Sequence, residues 1–176
     1  MSGHQRILNN RMASHQVGVS ANGMNIFIEL MRPPTSEVIA HNPHILNLIK
    51  EVASTATFSG ESIMREYDMQ RTVGYLDYAP TKAEDTVFYA KQVRSDVYTR
   101  FVKNRKTDAT SKIAIYAERI DEDSYLITSV WIGTLPVPFP GEANASAISN
   151  EFWSSHAIVY NGQPLIASSI TKEWPY

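Results

Sequence analysis

Asp85-Thr-Val-Phe-Tyr-Ala-Lys91, Val97-Tyr-Thr-Arg-Phe-Val-Lys103, Ser111-Lys-Ile-Ala-Ile-Tyr-Ala-Glu-Arg119 and Ser124-Tyr-Leu-Ile-Thr-Ser-Val-Trp-Ile-Gly133 follow one another within one stretch of the chain. Each run is rich in β-branched and aromatic residues, and short polar breaks separate them. Such side chains suit a pleated, half-buried surface, and the spacing predicts an antiparallel meander. The stretch is also basic. From Lys91 to Lys112 there are seven cations (Lys91, Arg94, Arg100, Lys103, Arg105, Lys106, Lys112) and two acids (Asp96, Asp108), a local excess of +5 in a chain of formal charge −2. A basic sheet in a mildly acidic protein points first to an anionic ligand.

On the N-terminal side, residues 1–15 are polar and irregular and are expected to form a flexible arm. Val17 to Leu30 alternates apolar and polar residues around Ala21-Asn22-Gly23, which predicts a hairpin, and Pro33-Pro34 stops it. Ser36 to His41 suits a short helical turn. A main helix follows, with Asn42 as its cap, Pro43 in the first turn, and Ile45, Leu48, Ile49 and Val52 on one face. Glu61 to Gln70 fits either helix or strand. Thr72 to Ala79 reads as one strand ended by Pro80.

Beyond the meander, Pro136, Pro138, Pro140 and Gly141 make 134–145 a loop, because proline cannot donate ladder bonds. Ala147 to Ser155 fits a short helix. His156–Tyr160 and Pro164–Ser168 flank Asn161-Gly162, the dipeptide of a type I′ turn, so a second hairpin is expected. The sum is an α+β fold: an antiparallel sheet of five to seven strands packed with one main helix and one or two short ones, in a single domain over 16–176. The order of elements argues against alternating βαβ units.

Composition narrows the chemistry. The 176 residues suit one domain with a real core, and 43% of them are apolar. With no cysteine, disulfides, thiolate catalysis and thiolate zinc sites are excluded. The N-terminus has no apolar core of a signal peptide, and no apolar run approaches the roughly 18 residues of a membrane span. A cytoplasmic protein, in a bacterial or phage setting and without membrane contact, is expected. The Asn144-Ala-Ser146 sequon is then an accident of composition. Neither a Gly-x-Gly-x-x-Gly nor a phosphate-loop pattern occurs, so no cofactor is expected.

Several residues are candidates for chemistry. His41 and His44 stand three apart, but Pro43 lies between them and no carboxylate sits at matching spacing, so no metal site is expected. His156 opens an apolar strand beside Trp153; it suits a general acid or base, or a packed histidine bonded to a carbonyl. Ser154-Ser155-His156 is no hydrolase signature, because the Gly-x-Ser-x-Gly elbow is absent. Arg100 lies mid-strand on the face of Tyr98 and Val102, and Thr128 on that of Leu126 and Val130. If neighbouring strands pair, Arg100, Lys103 and Thr128 converge where a guanidinium and a hydroxyl can hold one phosphate. The alternative is a polar sheet face with Arg100 paired to a carboxylate such as Glu118. Tyr75, Tyr78, Tyr89, Tyr98, Tyr116 and Tyr125 interleave with the cations, a pattern that can stack bases beside a phosphate track or merely build strands.

The order of a helix with His44, a basic strand with Arg100 and Lys103, and a strand centred on Tyr-Leu-Ile-Thr-Ser with Thr128 resembles in outline the barnase/colicin/RelE-type superfamily of small ribonucleases. The run as a whole is also similar to small bacterial and phage proteins. The ribonuclease resemblance covers residues 43–133; the N-terminal hairpin and residues 134–176 lie outside it. It implies RNA cleavage without metal, with histidine, arginine, lysine, threonine or tyrosine side chains activating the 2′-hydroxyl and stabilising the phosphorane. On this footing the expected function is an RNA-cleaving or RNA-binding toxin-like domain. Its catalytic candidates are His44, Arg100, Thr128 and His156, and its phosphate-binding candidates are Lys91, Arg94, Arg100 and Lys103. The alternative is a non-enzymatic accessory or inhibitor protein that binds a protein partner or self-associates through its sheet edges, the loop 135–141 and the aromatics near Trp153 and Trp174.

Overall fold

All four runs of the basic stretch fold as strands, and they divide between two sheets. The computed structural model describes residues 14–92, 94–160, 170–171 and 174–176. In chain order the elements are β1 (His15–Val19), β2 (Asn25–Ile28), α1 (Thr35–His41), α2 (Ile45–Thr55), β3 (Ser62–Asp68), β4 (Gly74–Tyr75), β5 (Tyr78–Pro80), β6 (Val87–Lys91) and β7 (Tyr98–Lys103). They continue with β8 (Ala109–Thr110), β9 (Lys112–Asp121), β10 (Ser124–Ile132), α3 (Ala147–Ser155), β11 (His156–Tyr160) and β12 (Ile170–Thr171). One five-stranded sheet has the order β1-β2-β10-β9-β3 and the other β12-β6-β7-β11-β5. Pairing is largely antiparallel, with β2–β10 and β7–β11 parallel, so the α+β class holds.

Contacts cluster the chain into two compact units. The first is Met1–Gly74 with Thr110–Leu135, and the second is Tyr75–Ala109 with Pro136–Tyr176. The predicted single meander is therefore corrected: β6 and β7 pair in the second unit, β9 and β10 in the first.

In the first unit, α2 presents Ile45, Leu48, Ile49 and Val52 to the core, as its periodicity requires. They pack with Ile26, Ile28, Ile113, Ile115, Tyr125, Ile127 and Val130. Gly18 lets β1 lie against α2, since a Cβ there would come 2.9 Å from the Ser54 hydroxyl. The hairpin turn is as predicted, with Gly23 at φ +82°. Asn42 does not cap α2. It closes α1, donating its backbone N–H and its side-chain amide to the Val38 carbonyl, and His44 precedes Ile45.

In β10 the residues packed into this core run Tyr125, Ile127, Val130 and, partly buried, Ile132, so the interval lengthens once from two to three. The pairing shows why: Ile127 opposes Ala117 and Ser129 opposes Tyr116, which leaves Thr128 as the extra residue of a bulge. The bulge keeps both halves of the strand facing the core.

Thr72–Ala79, which passes from the first unit into the second after Gly74, is not one strand. It breaks at Leu76-Asp77 into β4 and β5, because Leu76 donates to the Asp108 carbonyl while the Asp77 carbonyl accepts from Val159. The helix predicted over 147–155 forms with those bounds. The Ser146 side chain accepts from the Ser149 N–H and the Ser149 side chain from the Ser146 N–H, a reciprocal cap. The loop before it packs inward: the Trp153 indole donates to the Val137 carbonyl at 3.1 Å, and Phe139 tilts against the Trp153 ring at 4.8 Å. Trp153 is therefore buried rather than part of an exposed set. The first arm of the predicted C-terminal hairpin is β11; its Asn161-Gly162 turn and Pro164–Ser168 arm lie outside the described residues, as do residues 1–13 of the predicted arm.

Candidate functional site

The β6–β7 hairpin of the second unit carries most of the predicted phosphate set. Phe88 opposes Phe101, Tyr89 opposes Arg100, and Lys91 opposes Tyr98. Alternation along a strand then fixes two faces. Tyr89, Lys91, Tyr98 and Arg100 share one; Phe88, Phe101 and Lys103 share the other. Arg100 and Lys103, three apart, cannot act on one ligand from the same face of this strand.

Arg100 is only 8% exposed. Its Nη1 donates to the Trp153 carbonyl at 2.8 Å and to the His156 carbonyl at 3.2 Å. The Trp174 ring lies beside it, with the guanidinium carbon 5.8 Å from the ring centroid. Trp174 stacks on Tyr89 at 5.6 Å and meets Tyr98 edge-on at 6.3 Å, and Tyr176 packs against both Tyr98 and Trp174. The alternative partner Glu118 belongs to the first unit, where Tyr116 Oη donates to it at 3.0 Å; burial first, and Glu118 second, raises the Tyr116 phenol above its ordinary range.

The opposite face is more open. Lys103 Nζ lies 5.0 Å from the centroid of the Phe88 ring, a cation–π contact. Phe101 neighbours Phe88, and Ile158 and Tyr160 of β11 lie beside Phe101 and Lys103 in register. Phe88, Phe101, Ile158 and Tyr160 are half-buried and Lys103 is exposed. This face can offer ring surfaces and an ammonium to a planar, anionic ligand. Lys91 and Arg94 are exposed at the turn end of the same hairpin, Arg94 at φ +58°.

The two histidines serve local structure. His156 Nδ1–H donates to the Phe152 carbonyl at 3.0 Å, with Ser155 Oγ also 3.0 Å away, and its ring stacks on Phe152 at 4.1 Å. His44 Nε2–H donates to the Val73 carbonyl at 2.7 Å in the first unit. Thr128, also in the first unit, offers its carbonyl to the Thr35 hydroxyl at 3.2 Å from within the bulge, and the bulge puts Leu126 and Val130 on opposite faces, so the face expected to hold Thr128 with both does not exist. Of the four catalytic candidates, His44 and Thr128 fall in one unit and Arg100 and His156 in the other.

Sequence reasoning missed Phe88 and Phe101 as functional candidates and counted tyrosines instead. The parity of β7, which sets Phe101 with Lys103, was the signal that could have found them. Among the described residues no group of three or more histidines and carboxylates is placed to hold a metal ion. No helix in the described residues is long and apolar enough to cross a membrane. No family model, curated protein or solved structure matches the chain.

Proposed function

We propose that the second unit binds single-stranded RNA on the Phe88–Phe101–Lys103 face and does not cut it. The observation that carries this reading is the Lys103 ammonium above Phe88, next to Phe101 on the paired strand. Base stacking on aromatic rings with a nearby cation is the usual basis of sequence-tolerant single-strand binding. Lys91 and Arg94 add exposed charge on the hairpin that carries the face. Binding is favoured over cleavage because the ring nitrogens of His44 and His156 that bond carbonyls are not free as bases, and Arg100 is enclosed. The test is fluorescence anisotropy with a labelled single-stranded RNA in EDTA, followed by a denaturing gel. Phe101→Ala is expected to weaken binding about tenfold. Lys103→Ala should lower the salt slope by about one. Undiminished binding by both variants, or a shortened strand on the gel, overturns the proposal.

A second reading has its own observation. β3 is a seven-residue edge strand, with Met64 59% exposed and a groove alongside lined by Thr57, Ser59, Ser62, Ile63, Met64 and Arg65. Because Glu61 accepts from Arg119 across the ladder, Met64 and Glu66 direct their backbone groups outward. An extended segment from a protein partner, or from a second copy, could add there. A solution mass above that of a monomer, lost in Met64→Pro, would favour this reading.

A further inference from the structure

We propose a site for a small oxyanion alongside the Arg100–Trp174 pair, on the face of β7 opposite the Lys103 platform. A guanidinium taken out of water is costly unless its charge and its N–H groups are answered. Arg100 is more than nine-tenths buried, and among the described residues it makes no ion pair with a carboxylate. Both of its hydrogen bonds to carbonyls leave from Nη1. Its Nε–H is buried without a partner, and so is the indole N–H of Trp174. These are two unanswered donors of neighbouring side chains, one of them on a cation, and the indole ring centroid is 5.8 Å from the guanidinium carbon.

The ligand class follows from the donors. With Nη1 committed, the remaining edge of the guanidinium is the Nε side, the edge that grips two oxygens of a carboxylate or phosphate group at once. The guanidinium supplies an unanswered positive charge and the indole N–H a second donor, so the site is suited to an anion rather than to a neutral carbonyl. Tyr89, Tyr98 and Tyr176 around Trp174 supply apolar walls that strengthen the electrostatic attraction. The occupant is small, a free carboxylate or phosphate or the terminal group of a slender ligand. Nothing in this argument draws on the RNA reading.

The experiment is a titration of indole-labelled protein with inorganic phosphate, and separately with acetate, at constant ionic strength, followed by nuclear magnetic resonance. The Trp174 indole signal is assigned by its loss in Trp174→Phe, which keeps an aromatic ring and removes the N–H together with the pyrrole half of the indole. A saturable movement of that signal with either anion, at a Kd of about 1 mM or tighter, is expected, and the arm that saturates names the oxyanion. Trp174→Phe should weaken the anion's thermal stabilisation of the protein about tenfold in concentration, the value of one hydrogen bond to a charged group. Phe101→Ala should bind the anion as the wild type does, which separates this site from the RNA face. An indole signal unmoved by both anions, or stabilisation equal in Trp174→Phe and wild type, overturns the proposal and leaves water as the partner of these donors. Arg100→Lys, which keeps the charge and loses the fork, is a supporting variant; if it fails to fold, Trp174→Phe decides alone.

Discussion

The two units are built from different materials. The first buries isoleucine, valine and leucine from α2, β2, β9 and β10 around Tyr125, whose hydroxyl donates to the Gly60 carbonyl at 2.6 Å. The second buries Thr99, Arg100, Ser149 and Trp153 among small residues such as Ala79 and Ala157, and most of its aromatic rings stay half-buried. An aliphatic core gains roughly 25 cal/mol for each square ångström removed from water and is indifferent to ligands. A core that encloses a guanidinium with an unanswered N–H breaks the rule that buried polar groups are paired, and such breaks concentrate where proteins bind. The first unit also buries Ser20, Glu29, Thr35 and Ser124, but no buried cation is among its described residues; the enclosed guanidinium of the second is what supports the reading proposed for that unit.

That contrast can be broken or sharpened by substitution. The largest effect is expected in the first unit: Ile127→Ala leaves a cavity in the isoleucine cluster and should cost about 4 kcal/mol in denaturant unfolding, and a loss below about 1 kcal/mol would mean that the cluster is not the source of stability. Next comes the second unit's enclosed ion pair. Arg105 Nη1 lies 2.8 Å from Asp85 Oδ2, with side-chain exposures of 16% and 10%, and also donates to the Pro80 carbonyl. Arg105→Ala should cost about 3 kcal/mol, because it leaves the largely buried Asp85 carboxylate without its counter-charge, its Oδ2 still accepting from the Lys82 N–H; an unchanged midpoint would show that the ion pair contributes nothing.

Gly141 sits at φ +92°, where an added Cβ would run into the Asp96 carbonyl at the tip of the β6–β7 hairpin. Gly141→Ala should destabilise by about 2 kcal/mol, measurable by thermal unfolding.

The smallest effect is a gain. The Tyr67 hydroxyl is buried without a partner. Burial raises the Tyr67 phenol above its ordinary value, and Arg65 only partly opposes this. Tyr67→Phe should stabilise the protein by about 1 kcal/mol at neutral pH. The sign with pH is fixed by the raised value: as pH climbs past about 10 the unfolded chain releases this proton before the folded one does, so stability falls. The variant should lose less stability than the wild type in that range, and equal alkaline losses would contradict the assignment.

Much of the fold was legible because it rests on local patterns. The hairpin of β1 and β2, the apolar face of α2, the bounds of α3 and the positions of all four strands of the basic stretch follow from alternation, helical spacing and turn residues. Which sheet each strand joins did not follow, because pairing partners are set by long-range packing, and β6–β7 and β9–β10 are alike in composition. Thr128 was misplaced for a sharper reason. Strict alternation puts it with Leu126 and Val130, but the run Tyr125, Ile127, Val130, Ile132 already demands an extra residue between its halves. Arg100 was read as accessible because arginine mid-strand usually is; its enclosure depends on Trp153, His156 and Trp174, all more than fifty residues away in sequence.

The central claim is the proposed one, that single-stranded RNA lies against the Phe88–Phe101 face of the second unit. Photocrosslinking with thiouridine-labelled single-stranded RNA, followed by peptide mapping, tests it most directly. The account predicts adducts at Phe88, Phe101 or Tyr160, reduced in Lys103→Ala. Adducts confined to the first unit, or to Trp174 and Tyr89 on the other face of the sheet, would contradict it.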